Sequence, residues 1–213
     1  MTDRFTFALM SALFAAGALC HALGATRPFM IAATPWILLY WGSFVLFTAF
    51  KEQGAPIVAW AAAAAVVTFF LEALGVATGV VFGSYAYGDV LGVKVLSVPP
   101  LIGFNWVVVV LGLSRFLRIR FPLLNPAIGA FSVAAAAVAF DWVLEPFAIS
   151  LEYWTWSSGV IPLKNYFAWF LIAYACALPT FFVPRKPSSF VPSFYVLAQT
   201  VFFAVTRFFL SFR

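Results

Sequence analysis

Three carboxylic acids lie inside or at the edge of long apolar stretches, where an ionisable side chain is costly and usually functional. They are Glu72, Asp141 and Glu145. Asp141 and Glu145 are four residues apart, which on a helix places both on one face, one turn apart. A carboxyl group that burial and a like-charged neighbour keep protonated near neutral pH is a usable general acid. The sequence therefore predicts acid–base chemistry inside an apolar layer.

The composition indicates that a membrane forms that layer. The chain is 65% hydrophobic and 9% charged, with a mean hydropathy of +1.05, whereas soluble domains are about 25% charged. Stretches of about 20 mostly apolar residues predict seven transmembrane helices. They cover residues 5–24, 29–50, 55–76, 98–117, 124–149, 162–183 and 191–212. We expect an all-α, polytopic transmembrane helical bundle that forms a single domain over residues 1–213.

The order of these helices brings the three carboxyl groups to one depth. The third and fifth helices run in the same direction, so Glu72, late in the third, lies level with Asp141 and Glu145, late in the fifth. The two longest polar loops, residues 77–97 and 150–161, share the adjacent face of the membrane. We expect the carboxyl groups to converge on one pocket beside these loops.

Basic residues in short loops indicate the orientation in the membrane. On one side of the membrane we expect Arg4, Lys51, Arg115, Arg118, Arg120, Arg185 and Lys186. On the other side we expect Arg27, Lys94, Lys164 and Arg213. This bias favours a multi-pass protein of the cell (cytoplasmic) membrane with its N-terminus in the cytoplasm, and an inverted topology stays open. Because the basic residues are scattered, the net charge of +5 indicates orientation and no nucleic-acid partner.

Aromatic side chains are dense around the predicted pocket. The candidates for substrate binding are Tyr85, Trp106, Trp142, Trp154, Trp156 and Trp169, together with the amide of Asn165. An interfacial belt explains many of them. Aromatic faces also stabilise a carbocation by cation–π attraction. The two interpretations do not exclude each other.

Motifs for several other chemistries are missing from the sequence. The single histidine, His21, cannot build a multi-histidine di-iron centre, and we expect it to be a satisfied polar residue near a helix end. No nucleotide-binding glycine motif occurs, so we expect no metal and no organic cofactor. A magnesium site for a diphosphate would need a second acidic motif, which the sequence lacks. The lysines lie at segment edges or in loops, which excludes a retinal Schiff base.

Two segments resemble the carotenoid biosynthesis membrane proteins. Residues 71–106 read LEALGVATGVVFGSYAYGDVLGVKVLSVPPLIGFNW, and residues 140–170 read FDWVLEPFAISLEYWTWSSGVIPLKNYFAWF. This family includes the carotenoid 1′,2′-hydratases, bisanhydrobacterioruberin hydratase among them. The shared pattern marks Glu72, Thr78, Gly79, Phe82, Gly83, Tyr85, Trp106, Asp141, Glu145, Pro146, Trp154, Trp156, Pro162, Asn165 and Trp169.

Two departures from the family pattern leave the particular substrate open. An aromatic–glycine element that usually follows the equivalent of Gly159 is shortened, and Ala168 stands where a glycine is common. We expect both changes to touch the loop over the pocket.

The resemblance implies a cofactor-free hydration of a linear (ψ) end group on a carotenoid such as lycopene or γ-carotene. Asp141, or Glu145 as the second choice, would protonate the terminal double bond, and aromatic faces would stabilise the tertiary cation. Glu72 and Asn165 would position the water that adds. A carotenoid is as long as the hydrocarbon core is thick, about 30 Å. Further partners would be membrane lipid and other carotenoid-pathway enzymes.

Two rival interpretations stay open. An end-group cyclase would begin with the same protonation, but an internal double bond would capture the cation in a dry pocket. A carotenoid or lipid carrier, or a subunit of a membrane complex, would use the carboxyl groups as ion-coupled switches. The polar loops beside the carboxyl groups favour capture by water.

Overall fold

The structure, a computed structural model, describes residues 3–184 and 186–210. Within these ranges seven helices are long and apolar enough to cross a membrane. The chain is therefore a multi-pass membrane protein with a helical bundle, which confirms the predicted fold class. Arg185 and Arg213, which contributed to the orientation prediction, lie outside the described residues.

The helix boundaries agree with the apolar stretches to within a few residues. The helices are α1 (Asp3–Ala22), α2 (Arg27–Gln53), α3 (Ala55–Thr78), α4 (Pro100–Arg120), α5 (Pro126–Ser150), α6 (Leu163–Ala177) and α7 (Val191–Leu210). A 3₁₀ helix, Leu178–Phe182, continues α6. Proline is the first residue of α4 and α5, where its missing N–H leaves no hydrogen bond unmade. The side chain of Asn125 caps α5 by accepting a 2.9 Å hydrogen bond from the backbone N–H of Ala127.

Helix α4 lies at the centre of the bundle. Its residues 107–111 are each at most 2% exposed, so this stretch is covered on every side. Gly112 lets α7 approach closely, because a Cβ atom there would lie 2.6 Å from the backbone oxygen of Pro192. At the same level the hydroxyl of Ser193 donates a 2.8 Å hydrogen bond to the carbonyl of Gly112. These contacts fix the register between α4 and α7.

The two polar loops meet in a short antiparallel sheet that the sequence analysis did not predict. Strand β1 (Tyr85–Tyr87) pairs with β2 (Trp154–Trp156). Tyr85 lies opposite Trp156, and Tyr87 lies opposite Trp154. The sheet holds four aromatic side chains together at the end of the bundle where the three carboxyl groups lie.

Two glycines turn the chain from α3 back over this end of the bundle. Gly79 ends α3 in the left-handed conformation, with φ of 65°. Gly83 has φ of 117°, and a Cβ atom there would lie 2.8 Å from Cγ of Pro162. A side chain at Gly83 would therefore both strain the backbone and push against the start of α6.

The opposite end of the bundle contains a buried ion pair. Arg115 of α4 is 1% exposed and contacts the carboxylate of Glu52. Its guanidinium also donates a 2.9 Å hydrogen bond to the side chain of Gln53. The buried positive charge of α4 is thus paired far along the helix from the aromatic sheet.

Candidate functional site

A cavity of about 350 Å³ lies between the helices beneath the sheet. Glu72, Asp141 and Glu145 all line it, and they are 4%, 1% and 2% exposed. The volume is typical of small-molecule sites, which range over about 300–1,000 Å³. The structure brings together the three carboxyl groups that the sequence placed at one depth.

Glu72 of α3 accepts hydrogen bonds from three aromatic side chains. The hydroxyls of Tyr85 and Tyr87 donate to Oε2 at 2.5 Å and 2.9 Å. The indole N–H of Trp106 donates to Oε1 at 2.9 Å. Burial, and next the neighbouring charge of Glu72, raise the pKa of Tyr85 and of Tyr87, so both hydroxyls stay protonated donors.

Glu145 of α5 is anchored mainly by the second strand. Side chains two residues apart on a strand point to the same face, so the indole N–H groups of Trp154 and Trp156 both reach Oε2 of Glu145, each at 2.9 Å. The amide of Asn165 lies 3.4 Å from Oε1. Glu145 therefore has three donors, as Glu72 does.

Asp141 has a different environment. Its Oδ2 accepts a 2.7 Å hydrogen bond from Nδ2 of Asn165, the same amide that contacts Glu145. In the part of the chain that the structure describes, Oδ1 of Asp141 has no hydrogen-bond partner. Of the three carboxyl groups, Asp141 is therefore the one with an uncommitted oxygen.

Among residues 3–184 and 186–210, no lysine or arginine lines the cavity with these carboxyl groups, and no metal-binding cluster is present. The ion pairs there are Lys94 with Asp89 and Arg115 with Glu52. No group of three histidine, cysteine, aspartate or glutamate side chains in the same ranges is placed to hold a metal ion. The hydrogen bonds that hold the carboxyl groups come from tyrosine, tryptophan and asparagine.

Six of the seven predicted substrate-binding residues line the cavity: Tyr85, Trp106, Trp154, Trp156, Asn165 and Trp169. The rings of Trp106 and Trp169 are stacked with centroids 3.7 Å apart. The structure does not bring Trp142 to the cavity, and its side chain is 61% exposed on the outside of the bundle. Trp142 follows Asp141 directly, and one helical residue is a rotation of about 100°, so the two side chains point in different directions.

The two departures from the family pattern lie away from the cavity lining. Gly159 is in the turn after β2, and a Cβ atom there would meet nothing within 4 Å. Ala168 lies within α6. Neither residue lines the cavity.

Several polar residues of the cavity were missed by the sequence analysis. Asn105 of α4 and the pair Tyr195 and Gln199 of α7 also line the cavity. His21 also lines the cavity: its Nδ1 lies 2.8 Å from the carbonyl of Gly17, whereas its Nε2 has no hydrogen-bond partner among the described residues. The expectation of a satisfied histidine holds for one ring nitrogen. An amide inside an apolar stretch was the available signal for Asn105 and Gln199.

The cavity extends sideways to the outer surface between α1 and α2. Leu13 of α1 and Ile37 of α2 line it, and they are 49% and 36% exposed. Towards the loops, by contrast, it is lined by Leu91 and Tyr153, which are 5% and 4% exposed. The buried carboxyl groups are thus connected to the apolar flank of the bundle.

The sequence of this chain matches a known protein family. A family model described as carotenoid biosynthesis protein matches residues 33–211, which include α3 to α6 and all three carboxyl groups. The chain belongs to this family. The match confirms the resemblance of the two motif-bearing segments to carotenoid biosynthesis membrane proteins.

One curated protein is similar over much of the chain. Bisanhydrobacterioruberin hydratase of Haloarcula japonica is 28% identical over 181 residues. The alignment covers 79% of this chain and 61% of that protein, so the chain spans less than two thirds of its relative. No solved structure matches the chain.

Proposed function

We propose that this protein is a cofactor-independent hydratase that adds water across the terminal double bond of a linear (ψ) carotenoid end group. The observation that carries the proposal is the Oδ1 of Asp141, which has no partner among the described residues, in a largely apolar cavity beside two carboxyl groups that accept three hydrogen bonds each. Membership of the carotenoid biosynthesis family supports the substrate class. The hydratase of Haloarcula japonica supports the type of reaction.

We infer different protonation states for the three carboxyl groups from the number of their hydrogen-bond donors. Three donors each favour ionised Glu72 and Glu145. Asp141 has one donor and lies a helical turn from the charge of Glu145, which favours its neutral form. Asp141 is therefore the acid that protonates the double bond, ahead of Glu145.

The ionised carboxylates and the aromatic faces stabilise the resulting tertiary cation. Glu72 and Glu145 provide fixed negative charge in a site that excludes most water. The stacked rings of Trp106 and Trp169 provide π faces on the same cavity. Because its oxygens already accept three hydrogen bonds, we assign Glu72 this electrostatic role rather than the positioning of water.

Localisation is part of the same proposal. We infer the cell membrane as the site of action, with a cytoplasmic N-terminus, membrane lipid as surroundings and other carotenoid-pathway enzymes as partners. In this orientation the sheet of β1 and β2 lies on the outer face.

The test is expression of the chain in bacteria engineered to accumulate lycopene or γ-carotene, followed by liquid chromatography and mass spectrometry of the pigments. A product heavier by one water is the expected result. An unchanged mass with a shifted retention time would instead assign the cyclase reaction. Unaltered pigment that copurifies with the protein would assign the carrier function.

A further inference from the structure

Gln199 presents an unused hydrogen-bond acceptor at the cavity. It is 1% exposed and lines the cavity from the apolar helix α7. Its Nε2 donates a 3.0 Å hydrogen bond to the hydroxyl of Tyr195, whereas its Oε1 has no partner among the described residues. A buried acceptor without a donor is unfavourable, so this position indicates a ligand that donates a hydrogen bond.

Tyr195 supplies the complementary donor. Its hydroxyl oxygen accepts the hydrogen bond from Gln199, which leaves the hydroxyl proton available. Tyr195 is 1% exposed and lines the same cavity. Within the described ranges this proton has no acceptor. The pair thus offers one acceptor and one donor side by side, which matches a hydroxyl group or a water molecule.

A third polar group lines the same cavity from α4, at nearly the same depth as Gln199. The hydrogen bond from Ser193 to Gly112 sets the register of the antiparallel helices α4 and α7. Asn105 lies seven residues before Gly112, and Gln199 lies six residues after Ser193, so the two amides differ in depth by about one residue, or ~1.5 Å. Asn105 lines the cavity, and in the described part of the chain its amide has no hydrogen-bond partner.

These groups lie close in depth to the proposed acid. Phe140, adjacent to Asp141, packs against Phe203 of α7 with ring centroids 5.8 Å apart. Phe147 of α5 packs against Phe203 as well, with ring centroids 4.9 Å apart. Because α5 and α7 run in the same direction, Gln199 lies within about five residues, or ~7.5 Å, of the level of Asp141 along the bundle. An end group that contacts Asp141 in this cavity is therefore close in depth to Gln199 and Asn105, which line the same cavity.

We propose that Gln199, Tyr195 and Asn105 hold the water molecule that adds to the carbocation. A buried water needs two to four polar partners, and a purely apolar cavity stays dry. Oε1 of Gln199 accepts one hydrogen of the water, the hydroxyl of Tyr195 donates to its oxygen, and Asn105 provides the third contact. The inference rests on the proposed hydratase function. It assigns all three residues the role of positioning the water.

The reaction balances with this water and Asp141 alone. The π electrons of the double bond take the proton of Asp141 and form a C–H bond at the CH carbon, which leaves the cation on the dimethyl carbon. A lone pair of the held water forms the C–O bond there. The added water then loses one proton to the ionised Asp141, which restores the acid. One alkene and one water give one tertiary alcohol without oxidation or reduction.

The test separates protonation from water capture. Purified wild-type protein and the variants Gln199→Leu and Tyr195→Phe are incubated with lycopene in deuterated water, and deuterium and hydrated product are measured by mass spectrometry. We expect each variant to form less hydrated product, by on the order of tenfold or more for Gln199→Leu. Recovered lycopene still gains deuterium, because Asp141 still protonates it. Thr200→Val is the matched control, since its hydroxyl bonds to the backbone of Val196 and does not line the cavity.

Hydrated product at the wild-type rate in both variants would overturn the inference. Loss of deuterium together with product would overturn it as well, because the residues would then act on the acid step or on the fold. A wild-type protein that forms no product heavier by one water would contradict the hydratase proposal instead. In that case a high-resolution structure decides: an isolated water at hydrogen-bond distance from Oε1 of Gln199 supports the site, and an empty position or a ligand hydroxyl removes it.

Discussion

Nδ2 of Asn165 donates a 2.7 Å hydrogen bond to Oδ2 of Asp141, and this bond joins α6 to α5 inside the cavity. The other oxygen of Asp141 has no partner among the described residues. One oxygen is thus fixed while the other is uncommitted. A carboxyl group that is anchored on one side can present a proton in a defined direction, which is the requirement for general acid catalysis.

Asp141→Asn is expected to lower turnover by at least ~100-fold, because the amide cannot release a proton. The fold is retained, since asparagine has nearly the same shape, and gel filtration in detergent measures this. Pigment analysis in lycopene-accumulating bacteria measures turnover. Asp89→Asn is the control, because that carboxyl is exposed and pairs with Lys94 outside the cavity. Full activity of Asp141→Asn would remove Asp141 as the acid.

Trp156→Phe and Trp142→Phe form a matched pair. Trp156→Phe keeps an aromatic ring but removes the N–H that donates to Glu145 at 2.9 Å. Hydrogen bonds to charged groups contribute about 1.5–3 kcal/mol, so we expect a loss of that order in the free energy of unfolding and a lower rate of hydration. Trp142 is 61% exposed, and its replacement should change stability by less than about 0.5 kcal/mol. Equal effects in thermal unfolding would contradict the assigned hydrogen bond.

Gly83→Ala and Gly92→Ala separate steric contact from backbone strain. Both glycines have positive φ, 117° and 86°. A Cβ atom at Gly83 would lie 2.8 Å from Cγ of Pro162, whereas at Gly92 it would meet nothing within 4 Å. We therefore expect Gly83→Ala to be the more destabilising by about 1–3 kcal/mol. Thermal melting of the two variants in the same detergent measures the difference, and a larger loss for Gly92→Ala would show that the turn at Gly83 is not packed as described.

Tyr153 gives the protein a specific alkaline sensitivity. Burial raises the pKa of Tyr153 from 10 to about 12, although its hydrogen bond with Thr34 acts in the opposite direction. The folded state therefore holds this proton more tightly than the unfolded state. The corresponding stability is present below pH 10 and is lost as the pH rises through about 12. Thermal unfolding from pH 9 to 12 should decline less steeply in Tyr153→Phe, and identical slopes would refute the assignment.

The helices and the depth of the carboxyl groups could be predicted because they follow from hydropathy and helical periodicity. The third helix was expected at residues 55–76 and is Ala55–Thr78. The four-residue spacing of Asp141 and Glu145 placed both on the face that Asn165 now bridges. Such a spacing can be recognised in a sequence because both residues belong to one helix, whose period is known.

The hydrogen-bond donors around the carboxyl groups could not be predicted in the same way. Strands of three residues have too few positions for a periodic pattern, so nothing in the sequence indicated that the loops pair and aim Trp154 and Trp156 at Glu145. Gln199 could not be predicted from charge, which is the usual signal of a costly buried group, whereas an uncharged amide also requires hydrogen-bond partners when it is buried. Trp142 was grouped with the cavity aromatics by its position in the sequence rather than by its angle around α5.

The opening between α1 and α2 makes the bilayer, not the aqueous phase, the reservoir from which an apolar ligand reaches the buried carboxyl groups. Occupancy of the cavity then follows the mole fraction of carotenoid among the lipids. Diluting the vesicles with buffer leaves this fraction unchanged, whereas adding carotenoid-free lipid to the same vesicles lowers it. For a protein with this side opening, the relevant Michaelis constant is a surface concentration.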